Sequence, residues 1–573
     1  VISHLTPDLW DRATRSLLAK AIGEFAHERL FAPSGTGPYV VSAGDGGTYT
    51  FTARRYSLDH WAVDADSIVH RQDGKPTRLD ALSFFTGLRG ELGLSDDVLP
   101  VYLEEITSTL SALAAKLDRR AVNAKELAGA GFQEIEAGMT EGHPCFVANS
   151  GRLGFAADEY AQYAPETGRT VRLVWLAAHR DRAVFSCGEG LDYQSFVQAE
   201  LGERQLACFH ARLRALGLDP DDYLLMPVHP WQWRHKLAVT FAAELAERRL
   251  VHLGVSQDAY QPQQSIRTFF NTTSQSKHYV KTALSILNMG FMRGLSADYM
   301  AATPAINDWL YGLVAQDAVL RGTGVIILRE RAAVGYRHAG FENATDKGSC
   351  YRKMLAALWR ESPVPLLREG EQLATMASLL HTDADGGSFA AALIERSGLP
   401  AEDWLRGYLR AYLTPIVHCF FRYGLAFMPH GENVILGLEN GAVTRAFFKD
   451  IAEEIAVMDP SVELPPQVER VRVSVPQDIQ PLSVFTDVFD CFFRFLAPVL
   501  DEAGVLPEES FWQLVAECIR GYGPAAASLF TPAFALSCLN RLQLSNNRQM
   551  LDLTDPSGAL RLAGLLPNPV AAG

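Results

Sequence analysis

No C-x-x-C pair occurs in the chain, and its eight cysteines (Cys145, Cys187, Cys208, Cys350, Cys419, Cys491, Cys518, Cys538) are scattered through 573 residues. That spacing excludes a zinc ribbon and a disulfide framework. Several sit in apolar settings such as His418-Cys419-Phe420-Phe421 and Asp490-Cys491-Phe492-Phe493, so buried free thiols in a reducing, cytoplasmic compartment are expected. No apolar run reaches the roughly 18 residues of a membrane span, and the start does not read as a signal peptide. Positive charge is in deficit, 52 Lys and Arg against 66 Asp and Glu for a net charge of −14. A nucleic-acid surface needs the opposite balance. Internal repeats, low-complexity segments, a P-loop and a Rossmann glycine turn are all missing; Gly322-Thr323-Gly324 before Val325 to Leu328 is a weak glycine signal. What is present, 48% apolar and 21% charged residues, describes a globular protein. About 100–200 residues per domain gives two to four domains.

The most informative stretch runs from Met428 to Asp450. A polar loop (His430, Gly431, Glu432, Asn433) leads to an apolar strand, Val434 to Leu438, a turn at Glu439-Asn440-Gly441, and a second strand, Ala442 to Phe448. Asn-Gly between apolar runs is the strongest short hairpin signal, because both residues tolerate positive φ. Pairing would return Asp450 to the side of Glu432 and Asn433. One amide oxygen and two carboxylates converging there suit Mg²⁺, an ion usually shared with a nucleotide's phosphates. The same order serves kinase-like phosphotransfer; the plainer reading is an exposed hairpin with polar ends.

The rest of the chain divides by texture. Thr6-Pro7-Asp8 is a helix start, and Trp10, Ala13, Leu17, Leu18, Ile22 and Phe25 follow at helical spacing. Tyr49 to Thr52 reads as a strand, Leu79 to Leu88 and Val101 to Leu127 as helices, and no catalytic cluster falls in the first 140 or so residues. From Glu141 to Phe155 glycine and proline impose a loop, in which His143 and Arg152 suit an anion. Strands are expected at Val171 to Ala177, Ala183 to Ser186 and Tyr223 to Val228; the last leads to His229-Pro230-Trp231-Gln232-Trp233, which reads better as a core corner than a binding face. Gln264 to Phe269 reads as a strand with Ser265, Arg267 and Phe269 on one face and Thr268 on the other. A hydroxyl beside a guanidinium suits phosphate oxygens, though a solvated surface Arg is the plainer reading. Tyr279 to Thr282 reads as a strand entering a helix over Ala283 to Leu295. Its cations Lys281 and Arg293 need an acid or an anionic ligand once buried. Helices are expected over Trp404 to Phe421, with a possible kink at Pro415, over Ser483 to Leu500, over Phe511 to Tyr522, and over Pro532 to Leu544 with Arg541. The residues from Asp555 on read as an irregular tail.

An ordered series of these motifs resembles the siderophore synthetases that act independently of non-ribosomal peptide synthetases, the aerobactin-synthetase-like family. The series is Gly142-His143-Pro144 with Arg152-x-Gly154-Phe155, Tyr163-Ala164-Pro165-Glu166, His229-Pro230-Trp231-Gln232, Ser265-x-Arg267-Thr268, Lys281, Arg293, His430-x-x-Asn433 and Asp450, spread over roughly residues 140 to 545. The resemblance implies an α+β cupped hand of three domains: a mostly helical thumb (1–140), a sheet-containing, phosphate-binding fingers domain (141–330) and a distantly kinase-like palm (331–573). It also implies ATP and Mg²⁺ as cofactors, adenylation of a carboxylate with release of pyrophosphate, and transfer of the acyl group to an amine. Carried over by position, Ser265, Arg267, Thr268 and Lys281 would hold the phosphates. His143 and Arg152 would approach the phosphates or the reacting carboxylate, and Arg293 and His430 would orient that carboxylate. Glu432, Asn433 and Asp450 would serve the nucleotide and its metal. Catalytic roles fall to Arg293, His430, His143 and Lys281.

One departure bears on the substrate. Many members carry His-Pro-x-His-Pro-x-x-Lys-x-Arg in the first loop; here the second His is Phe146, its Pro is Val147 and the Lys is Ser150. Lost cationic groups suit a carboxylate less charged than a citrate, such as the succinyl end of an N-hydroxy-N-succinyl-diamine. That is the branch typified by desferrioxamine and alcaligin synthetases, and the Ala-, Leu- and Arg-rich composition leans to the desferrioxamine type. The implied partners are small hydroxamate carboxylate and amine substrates, with no nucleic acid and no membrane, in a homodimer. Two other readings stand beside this one: a kinase-like phosphotransferase, from the hairpin alone, and a non-catalytic ferric-siderophore or nucleotide binder.

Overall fold

The computed structural model describes residues 2–119, 122–139, 141–545 and 561–571. Thr6 caps the first helix, its hydroxyl accepting from Leu9 N at 3.4 Å, and α1 (Pro7–His27) begins with proline as expected. Beside it lies an antiparallel sheet of Tyr39–Ser42, Gly47–Phe51, Val69–Gln72 and Lys75–Thr77. The helix expected over Val101 to Leu127 is two: α2 (Leu99–Asp118), and a single turn at Ala124–Leu127 capped by Asn123. The core of this region (Leu17, Ile22, Phe25, Phe84, Tyr102, Ile106) also takes in Val147, Ala148 and Leu544, so it grips the glycine-rich loop.

After α3 (Phe132–Gly138), residues 141–151 carry no regular structure ahead of β1 (Arg152–Leu153). β2 (Val174–His179), β3 (Ala183–Cys187) and β4 (Tyr223–Val228) fall on the strand-like runs of the sequence, β2 shifted by a few residues, and β2 lies between β4 and β5 (Leu250–Val255). His229 is wholly buried among Phe155, Tyr163 and Phe269, which makes the corner reading the right one.

Two sequence expectations fail where a turn replaces a regular run. The strand expected from Gln264 to Phe269 is a tight loop joining β6 (Tyr260–Pro262) to β7 (Thr268–Asn271), with Ile266 at φ 58°. Ser265 and Arg267 therefore ride on the loop and do not alternate along a strand. β8 (Tyr279–Thr282) is correct, but no helix follows it over Ala283 to Leu295. A small hairpin, β9 (Leu287–Asn288) and β10 (Phe291–Met292), turns at Met289 (φ 54°) and Gly290 (φ 77°), and β9 pairs with β1. An apolar run without a polar face fits strand or helix equally, and the pairing with β1 decides it.

Past α4 (Ala297–Gln316) and β11 (Ile326–Ile327), the strands β12 (Glu330–Tyr336) and β13 (Ala356–Arg360) complete a six-stranded sheet in the order β6-β7-β8-β13-β12-β3. That sheet thus takes two strands from residue 330 onward. β14 (Glu371–Thr375) begins a second layer, followed by α5 (Ala401–Tyr423), which contains Pro415. The hairpin forms as read: β15 (Val434–Glu439) and β16 (Ala442–Phe448) join through Asn440 (φ 50°) and Gly441 (φ 87°). They sit in a four-stranded sheet, β11-β16-β15-β14. The Trp404 indole of α5 donates to Gly441 O at 2.8 Å, fixing the closed end of the hairpin. Trp404, Tyr408, Tyr412, Leu436, Phe448, Phe489 and Phe493 are buried together here, each contributing on the order of 1.5–3 kcal/mol.

A helical run over Leu482 to Glu502 carries a π segment, Phe485–Phe493, and a helix over Glu508–Arg520 follows. The helix expected at Pro532 to Leu544 is instead β17 (Ala533–Ser537) and a short α6 (Leu539–Ser545). β17 pairs with β18 (Leu562–Pro567), so the tail expected to be irregular ends in a strand, residues 555–560 lying outside the described residues. Among the described residues no helix is long and apolar enough to cross a membrane. All eight cysteines are free; Cys145, Cys419, Cys491 and Cys538 are buried and Cys208 is exposed.

Candidate active site

The hairpin delivers its two ends to one place. Val434 pairs with Phe448, and Lys449 N donates to Asn433 O at 3.0 Å, which sets Asp450 beside Asn433. Asp450 holds a left-handed backbone, φ 60°, a conformation that short polar side chains tolerate best. Its carboxylate meets the neighbouring sheet: Lys281 Nζ of β8 lies 2.9 Å from Asp450 Oδ1 and 2.9 Å from Glu453 Oε2. Arg360 of β13 bonds Asp450 too, and reaches Glu330 at 3.4 Å. Burial alone would raise the Asp450 carboxyl, but Arg360, Lys281 and Lys449 outweigh it and hold the group well below the carboxylate range. Lys281 is likewise kept charged against its burial by Asp450 and Glu453.

A second group forms where the β6–β7 loop meets the β9–β10 hairpin. Arg267 Nη1 donates to the carbonyls of Arg293, at 3.0 Å, and Gly294, at 2.6 Å. Arg293 Nη2 donates to Asn288 O and Oδ1, both at 3.1 Å. Among the described residues each guanidinium keeps a buried Nε without a partner. Burial, reinforced by Arg267, lowers Arg293 to about 10, so a carboxylate or phosphate arriving there relieves an unfavourable charge. Ser265 Oγ donates to Thr268 Oγ1 at 2.8 Å, and Thr268 faces Lys281 across the β7–β8 pair, so the phosphate-binding candidates adjoin.

The third part is a pair of histidines. The rings of His143 and His430 stand 5.5 Å apart. His430 Nδ1 accepts from Glu432 N at 3.3 Å, and His143 Nδ1 accepts from Cys145 N at 3.3 Å. With Nδ1 occupied as acceptor, each neutral ring carries its proton on Nε2 and offers it as a donor. Burial takes His430 down to about 4 and His143 well below its ordinary value, so both stay neutral at pH 7. Phe146, where the family motif has a second histidine, lies 4.9 Å from His143 and 6.2 Å from Phe291, forming an apolar wall.

Arg152 is placed differently from its expected role. Its fork is filled by Glu166, at 2.6 and 3.0 Å, with the Tyr160 hydroxyl on the same carboxylate. Arg152 is the register partner of Asn288, the residue that holds Arg293, so the pair aligns the arginine from behind. Burial would raise the Glu166 carboxyl, yet Arg152 and Lys116 bring it down to about 2. A carboxyl depressed in the fold stabilises fully above its unfolded value near 4.5 and loses that contribution as pH falls toward 2, about 3 kcal/mol in all. Glu166→Gln is expected to cost about 3–5 kcal/mol at pH 7, because it strands a buried guanidinium. Its stability between pH 5 and 2 should fall less steeply than the parent's in denaturant titrations; parallel curves would rule the pair out as the acid-sensitive element.

Several site residues escape a sequence reading. Glu453 and Glu454, in a short helix over Ile451–Glu454, had a signal, two adjacent acids just after Asp450. Glu330 and Arg360 had none, since sheet pairing alone brings them in. Glu136 of α3 accepts from Gln264 N at 3.2 Å and from Thr375 Oγ1 at 2.5 Å, tying the β6–β7 loop to β14.

As for a metal, no three His, Cys, Asp or Glu among the described residues form a ready cage. Asn433 spends its amide nitrogen on Met428 O, at 3.0 Å, and on Glu454, which leaves its oxygen for a cation. Burial, and then the charge of Asp450, push Glu454 far above its ordinary value. Burial raises Glu432 as well. A divalent ion would relieve this excess of acid. The donors fit Mg²⁺ held by few protein groups and completed by phosphate oxygens and water.

Comparison with known proteins bears on the family and the fold. The profile described as the IucA / IucC family matches residues 131–381, and one described as ferric iron reductase FhuF-like transporter matches residues 402–552. The chain is 48% identical to putrebactin synthase of Shewanella sp. (strain MR-4), covering 100% of this chain and 93% of that one. It is 32% identical to aerobactin synthase of Escherichia coli, over 94% of each. Its fold superposes on aerobactin synthetase IucC of Klebsiella pneumoniae with a TM-score of 0.86 at 29% identity, over 99% of both chains. The chain belongs to the IucA / IucC family, the siderophore synthetases that work independently of non-ribosomal peptide synthetases.

Proposed function

We propose that the chain uses ATP and Mg²⁺ to adenylate the succinyl carboxylate of an N-hydroxy-N-succinyl-diamine and condenses it with an amine, building hydroxamate oligomers or macrocycles of the desferrioxamine type. The observation that carries this reading is the convergence of Arg293, the Nε2–H donors of His143 and His430, and the Lys281–Asp450 pair, delivered by four separate segments. A carboxylate is a poor acyl donor, and adenylation gives it a leaving group. Bringing it to a triphosphate sets anion against anion, and Arg267, Arg293, Lys281 and the metal offset that repulsion as charge builds. Mg²⁺, held by Asn433, Asp450 and the adjoining acids, would supply Lewis-acid polarisation of the phosphates. Acyl transfer then needs a neutral amine at short range and no protein nucleophile.

The phenylalanine wall beside His143 supports an acid with one carboxylate over a citrate. The hairpin's Asn433 and Asp450 support a palm distantly related to kinases, with the phosphates directed to adenylation. The test is incubation with ATP, Mg²⁺ and N-hydroxy-N-succinyl derivatives of putrescine and cadaverine. AMP, pyrophosphate and amide-linked products by mass spectrometry are expected. ADP with a phosphorylated acceptor would establish a kinase, and no turnover a binding protein.

A further inference from the structure

The π segment over Phe485–Phe493 adjoins the site yet has no part in the chemistry above. Such segments make five-residue hydrogen-bonded turns and recur at functional sites. The wide turn puts Asp487, Cys491 and Phe492 on one face. Two of these touch the two histidine loops. The carbonyl of Cys491 accepts from the thiol of Cys145, two residues after His143, at 4.0 Å. Phe492 closes on Gly431, next to His430, so tightly that a Cβ there would lie 2.9 Å from its ring.

Asp487, the third, lies beside Tyr412, whose hydroxyl donates to Pro429 O at 2.7 Å, one residue before His430. It is half-buried, and among the described residues it has neither an ion-pair nor a hydrogen-bond partner. The acids around Lys281, by contrast, have cations in contact. Burial pushes the Asp487 carboxyl up to about 7. A carboxylate so placed lacks only a cation. The acid substrate proposed above has one, since the amine at its far end is protonated at neutral pH.

We infer that Asp487 is an ammonium-binding subsite that holds the distal aminoalkyl end of the substrate whose carboxylate lies at Arg293. The acid would then be gripped at both ends, carboxylate among Arg293, His143 and His430, ammonium at Asp487. This assignment rests on the proposed function, and the experiment separates the two.

ATP–pyrophosphate exchange is measured with the N-hydroxy-N-succinyl-diamine and with an analogue carrying methyl in place of the distal amine. Asp487→Asn is expected to raise KM for the amino compound about 30-fold, the worth of one charge-assisted contact, with kcat unchanged. It should leave KM for the methyl analogue as in the parent, while Asp487→Glu recovers part of the loss. Equal changes with both compounds, or none with either, overturn the subsite. A parent that exchanges with neither compound refutes the proposed function instead. Calorimetric binding of the two acids still decides the subsite, which requires the parent to prefer the amino compound and Asp487→Asn to lose that preference. An unchanged melting temperature shows that the variant is folded.

Discussion

The Arg293→Ala variant is expected to lose pyrophosphate release by at least about 10³-fold and to keep its melting temperature. Removing a preorganised charge donor from developing negative charge costs about 10²–10³ in rate, and this one also gathers the ground-state carboxylate. The fold tolerates the change because the guanidinium contributes little to it. Burial already lowers its proton affinity, and among the described residues its guanidinium hydrogen-bonds to Asn288 alone. Pyrophosphate exchange and a thermal melt on the same preparation separate the two effects. Near-normal exchange would remove Arg293 from the reaction.

Asp450→Asn should be costly in both respects. Asparagine adopts the left-handed backbone as readily as aspartate, so the substitution changes charge and leaves φ 60° intact. Among the described residues Lys281 then keeps Glu453 alone, and Arg360 keeps Glu330 at 3.4 Å. Breaking a buried pair while its cations stay in place costs about 3–5 kcal/mol. Activity should fall by about 10³-fold or more, and the rise in melting temperature expected of the parent with ATP and Mg²⁺ should be lost. A variant that melts lower yet still gains stability from ATP and Mg²⁺ would make Asp450 a structural anchor and nothing more.

The candidate site was legible where chemistry is local. Asn440-Gly441 announces the hairpin because its φ angles demand those residues, and a hairpin must return Asp450 to Asn433. Lys281 and Arg293 stand out as cations on an apolar segment, whereas Arg267, read more plainly as a solvated surface side chain, is buried. Illegible were the partners that decide how those cations behave: Glu166 filling the fork of Arg152, Arg360 crossing to Asp450, Glu136 joining α3 to β14. Each spans a sequence distance that no local pattern encodes. Two misread segments share a cause. Gln264 to Phe269 is only six residues and Ala283 to Leu295 is an apolar run without a polar face, so periodicity alone fixes neither, and single residues at positive φ, Ile266 and Met289, divide them.

By itself the sequence determined the Asn440-Gly441 turn, the Thr6 cap, most of the strands and the inventory of charged groups, since backbone sterics and side-chain period act over a few residues. Only the folded molecule decided which cations are neutralised and which wait for a ligand. That depends on burial and on charges brought together from distant segments, and both come into being when the sheets close.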